Sequence, residues 1–154
     1  MKDESQSQYE KEIVMPFKFE QLEVWKRSLI YIDLIDEIAV LLPKSEDYNL
    51  KSQIVRAATS VAPNIAEGST GQTDVEQARF LGFAIRSLIE TVACQHIIHR
   101  RELLVDPAPL RRAYREAEEL VAMLHSCRKT ISPEQKWLRE QENSYHTEEE
   151  NPFQ

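Results

Sequence analysis

Cys94, His96 and His99 crowd one short stretch of the chain and are of the types that hold transition metals. On a helix, Cys94 and His96 stand two residues apart and face different sides. His96 and His99, three apart, share a face, but no third ligand stands near them in the pattern. Di-iron bundles need Glu-x-x-His on two helices, and that spacing occurs nowhere in the chain. Nor is there a Gly-x-Ser-x-Gly elbow, a His-Glu-x-x-His pair or a phosphate loop ending in Gly-Lys-Ser/Thr. The sequence therefore predicts no catalytic residues, no metal and no cofactor.

The charged residues point elsewhere. Arg100 and Arg101 precede a Pro-containing break, and Arg111, Arg112 and Arg115 follow it, against only Glu102 and Asp106 over that interval. Cations at the C-terminus of a helix complement its dipole, which accounts for the first pair. Three arginines in the first turns of the next helix oppose the dipole. Their later acidic neighbours Glu116, Glu118 and Glu119 come in the less favourable Arg-before-Glu order. Such a local cost suits phosphate contacts or an intersubunit ion pair, so these five arginines are the candidate nucleic-acid-binding residues.

A third group surrounds the stretch SVAPNIAEGSTG at 60–71. Pro63 lies inside a helical pattern, where it removes a backbone hydrogen bond and predicts a kink. Gly68 is placed to close that helix in the left-handed conformation, and Gly71 to help the chain reverse. Arg56, Asn64, Glu67 and Glu90 lie among small residues. A carboxylate there needs a partner, so Arg56 is expected to pair with Glu90 or Glu67, and Asn64 or Glu67 to cap groups freed by Pro63. The network reads as structural.

The elements that must position these groups are helices. Apolar residues at steps of three and four mark four segments. The stripes are Leu22, Trp25, Leu29, Ile32, Ile35, Ala39 and Leu42; Leu50, Ile54, Ala57, Val61 and Ile65; Leu81, Ala84, Leu88 and Val92; and Leu110, Ala113, Ala117, Leu120, Leu124, Cys127 and Ile131. Thr73 with Glu76 forms a capping box, Asp106 before Pro107 caps the fourth helix, and Ser45 is placed to cap the second. Short connections force neighbours antiparallel, which gives an all-α, up-down-up-down four-helix bundle.

The net charge of −7 is concentrated outside that bundle. Residues 1–16 and 132–154 are polar and acidic and are expected to be disordered tails flanking a bundle domain at 17–131. The basic-start, apolar-core pattern of a signal peptide is absent from the opening residues. No apolar run approaches ~18 residues. The expectation is a cytoplasmic protein without a membrane segment, with Cys94 and Cys127 reduced.

The runs FEQLEVWKRS at 19–28, LP-x-x-E-x-Y-x-L at 42–50, QIVRAATSVAPNIAEG at 53–68 and QARFLGFAIRSLIE at 77–90 resemble the 23S rRNA intervening-sequence protein family. That four-helix-bundle, or S23, family includes the accessory variability proteins of diversity-generating retroelements. The resemblance spans about residues 17–131. Arg86 departs from it, standing where a small residue usually precedes the serine. The resemblance implies a barrel-like homopentamer and no catalytic activity. For the retroelement members it further implies binding to RNA or DNA and to a reverse transcriptase. The competing class is a protein-interaction scaffold without nucleic-acid binding, for which Trp25, Tyr31, Phe80 and Phe83, or Trp137 and Phe153 in the acidic tail, would be the anchors.

Overall fold

The computed structural model describes residues 17–70, 73–131 and 151–153. Four helices carry the fold: α1 (Glu23–Leu41), α2 (Leu50–Gly68), α3 (Asp74–Arg100) and α4 (Ala108–Ile131). Single turns of 3-10 helix precede α1 and α2, and the described residues contain no strand. α1 packs on α2 and α4, and α3 packs on the same two, so the four surround one core.

The buried stripes of α2 and α4 follow the apolar periodicity. Leu50, Ile54, Ala57, Val61 and Ile65 are buried on α2, as are Leu110, Ala113, Ala117, Leu120 and Leu124 on α4. α1 turns further than its apolar residues alone indicate. Its core positions are Val24, Ser28, Tyr31, Ile35, Ile38 and Leu42, a clean alternation of four and three, while Leu29 is exposed. On α3 the stripe continues past Leu88 through Thr91, Gln95 and Ile98 rather than through the half-buried Val92.

These polar residues enter the core because their hydrogen bonds are supplied there. Ser28 Oγ donates to the Trp25 carbonyl within its own helix. Thr91 Oγ1 donates to the Leu88 carbonyl and accepts from Tyr31 Oη, which in turn accepts from Gln95 Nε2 at 3.0 Å. Tyr31 is therefore a core residue tying α1 to α3, not the surface anchor its type suggests. Burial pushes its phenol well above the usual range. Burial likewise raises the thiols of Cys94 and Cys127, which are both free.

The helix boundaries have local causes. Thr73 Oγ1 accepts from the Glu76 N–H at the start of α3, and Asp106 Oδ1 accepts from the Ala108 N–H at the start of α4. Ser45 does not cap α2; it lies in the preceding 3-10 turn, and Glu46 takes the role, its Oε2 accepting from Leu50 N–H at 3.3 Å. α2 remains helical through Pro63 to Gly68, with the proline on its exposed side. Gly68 does not reverse the chain in the left-handed region. It is the buried last residue of α2, where a Cβ would stand 3.3 Å from Phe80 Cβ, so it lets α2 and α3 approach closely. Gly71 lies outside the described residues.

The left-handed residue is instead Glu102, at φ 53°, just past α3. Glu102 N–H donates to the His99 carbonyl and Leu103 N–H to the Ile98 carbonyl, the paired bonds of a Schellman closure. α3 also holds an 18-residue window of mean hydropathy 1.2, enough by length and composition to cross a membrane, of which 44% is buried in the fold. That window includes core-facing residues of the bundle.

Candidate nucleic-acid interface

The five arginines around the α3–α4 turn do not form one free cationic patch. Arg101 Nη1 lies 3.7 Å from Glu46, and Arg112 Nη2 lies 3.2 Å from Glu37 on α1. Arg111 Nη1 donates to the Phe153 carbonyl at 2.9 Å. Arg100 and Arg115 are exposed and have no ion pair among the described residues. The acids expected to follow Arg115 serve α1 instead: Arg27 binds both Glu116 and Glu119, which holds its guanidinium more firmly protonated still. Exposed pairs such as Arg112–Glu37 are worth at most about 1 kcal/mol, so a phosphate can displace them.

The motif on α2 is arranged differently from expectation. Arg56, Pro63 and Asn64 line one open hollow of about 560 Å³ with Ser52, Val55, Thr59 and Ser60. Asn64 Nδ2 donates to the Ser60 carbonyl at 2.8 Å, next to the Thr59 carbonyl whose usual donor Pro63 lacks. Arg56 has no ion pair with Glu90 or Glu67 among the described residues. Glu90 accepts from Gln53 Nε2 at 3.3 Å. Arg56, Glu67 and Glu90 are all exposed, so no desolvation cost forces them together.

The groups that converge without acidic partners among the described residues are on the other half of α3. Arg79 and Arg86, two turns apart on one face, line a concave pocket of about 410 Å³ with Arg128 of α4. The remaining lining is Val75, Ala78, Gly82, Phe83 and Ile85. None of the three arginines forms an ion pair among the described residues. Arg79 lies over the Phe83 ring, 5.4 Å from its centroid, and Phe83 is held edge-on by Phe80. Gly82 lies beneath the Arg128 guanidinium, and a Cβ there would meet it at an ordinary contact distance of 3.5 Å. The half-buried Arg128 has its Nε buried without a hydrogen-bond partner among the described residues.

Guanidinium forks match phosphate oxygens bidentately, and three of them with no carboxylate partner among the described residues have the chemistry to hold an anion. The sequence carried a signal for it, a seven-residue Arg79–Arg86 spacing across Gly82, with Arg86 already out of pattern. The convergence of Arg128 from α4 depends on tertiary packing. Among the described residues no group of three or more His, Cys, Asp or Glu gathers as metal ligands.

This four-helix chain belongs to the 23S rRNA-intervening sequence protein family, whose model matches residues 20–126. Among solved structures it is similar to a protein of unknown function from the S23 ribosomal protein family of Bacteroides thetaiotaomicron. That likeness has a TM-score of 0.63 at 22% identity and covers 69% of this chain and 98% of the other. No curated protein matches.

Proposed function

We propose that this chain is a non-enzymatic, oligomeric accessory protein of the cytoplasm that binds the phosphodiester backbone of RNA or DNA. The observation that carries the reading is the pocket of Arg79, Arg86 and Arg128, three guanidiniums without carboxylate partners among the described residues. Arg100, Arg101, Arg111, Arg112 and Arg115 supply a second set of contacts at the α3–α4 turn. Phosphate contacts position nucleic acid without reading its sequence, which suits a shape-selective binder.

The up-down-up-down chain order belongs to the same proposal. Ser60–Ser87 and Gly68–Phe80 run α2 against α3, and Arg27–Glu116 and Glu37–Arg112 run α1 against α4. Self-association, as the pentamer expected of this family, is supported by Leu29, Ile30, Val40 and Leu41, all exposed on α1.

The test is a titration against structured RNA and duplex DNA at several salt concentrations. Binding that weakens steeply with salt is the expected result. No binding to either at low salt would sink the reading and leave a protein-interaction scaffold.

A further inference from the structure

Asn151, Pro152 and Phe153 follow residues 132–150, yet they return to pack on the bundle near the start of α4. Phe153 is only 2% exposed and joins the core cluster. Its ring lies 5.1 Å from the His96 ring, 5.0 Å from that of His99 and 5.5 Å from that of Tyr114, centroid to centroid. These contacts build a three-sided aromatic slot from α3 and α4. Edge-on packing of this kind adds to the burial of the ring itself.

The polar contacts read the rest of the segment. Asn151 Oδ1 accepts from the Phe153 N–H at 3.0 Å, folding the three residues into a turn over Pro152, whose ring fixes its own φ. Asn151 Nδ2 donates to the Arg111 carbonyl at 3.4 Å, and Arg111 Nη1 donates to the Phe153 carbonyl at 2.9 Å. An asparagine, a proline and a phenylalanine are thus each used for a different physical reason. Three glutamates, Glu148 to Glu150, directly precede them in the sequence, and Arg111, with the exposed Arg100 and Arg115, gives the α3–α4 turn the opposite charge.

From this arrangement we infer that His96, His99, Arg111 and Tyr114 form a peptide-recognition slot for an Asn-Pro-Phe turn. Its resident occupant is residues 151–153 of the same chain. Reach permits this: the helical rise from residue 131 back to residue 111 is about 30 Å. The twenty steps from 131 to 151 span up to about 70 Å when extended. The contact rests on one ring and a few hydrogen bonds, so it exchanges with free peptide.

The experiment uses the full chain and a fluorescent peptide of residues 148–154. Phe153→Ala in the chain removes the resident ring, and that variant binds the labelled peptide. The native chain binds it at least tenfold more weakly, by a factor that does not change with protein concentration. In the peptide, alanine at the phenylalanine or the asparagine lowers affinity at least tenfold. Asn151→Ala in the chain provides a second opened slot that keeps the ring, and it binds peptide more tightly than the native chain. Equal binding by native chain and both variants, or no binding by either variant, would overturn the slot. Self-competition that strengthens with protein concentration would assign the occupant to a second copy and overturn the resident one.

Discussion

Glu102 shows how much a single backbone angle can cost. Its left-handed conformation penalises any residue with a Cβ, and its side chain is exposed, so Glu102→Gly is expected to stabilise the fold by about 0.5–1 kcal/mol in urea unfolding. Gly82 and Gly68 are a contrasting pair. Gly82→Ala places a Cβ at an ordinary 3.5 Å from Arg128 and relieves a glycine in mid-helix, with an expected gain of about 0.5–1 kcal/mol. Gly68→Ala meets Phe80 Cβ at 3.3 Å, so it gains less than Gly82→Ala in the same assay. Tyr31→Phe removes the acceptor of the buried Gln95 amide and the donor to Thr91, with an expected loss of about 1–3 kcal/mol. A loss near zero would mean that the polar chain inside the core contributes nothing to stability.

The helices themselves were legible because an apolar stripe at steps of three and four has few alternatives over five or six turns. On α2 every residue of the predicted stripe is buried, and on α4 the stripe is buried from Leu110 to Leu124, with Cys127 and Ile131 only partly buried. The stripe of α1 is rotated from the predicted one, and that of α3 follows it through Leu81, Ala84 and Leu88 but not beyond, because Ser28, Tyr31, Thr91 and Gln95 are core residues and periodicity in hydrophobicity passes over buried polar residues. The reversal after α3 was hidden for a related reason: a glycine marks most Schellman closures, and here a glutamate takes the position. Of the candidate site, the arginines at the α3–α4 turn were visible as a cluster, but their partners Glu37, Glu46 and Phe153 come from remote parts of the chain. The Arg79–Arg86–Arg128 pocket needed α3 and α4 to be packed before its three members could be seen together.

At the scale of the whole molecule, the proposed function assigns self-association to the exposed apolar residues of α1 and anion binding to Arg79, Arg86 and Arg128, which have no ion pair among the described residues. Light scattering after size-exclusion chromatography is expected to give an oligomer, and Ile30→Lys with Leu41→Lys to reduce its mass, since both positions are exposed and apolar. The most direct test of the central claim is the salt dependence of RNA affinity for the native chain beside an Arg79→Ala, Arg86→Ala variant. Both side chains are exposed, so the fold should survive their loss. Each phosphate contact removed lowers the slope of log K against log salt by about 0.7–0.9. The account predicts weaker binding and a slope shallower by about 1.5 per bound pocket. An unchanged affinity and slope, with the native chain binding RNA, would contradict it and place the nucleic acid elsewhere on the bundle.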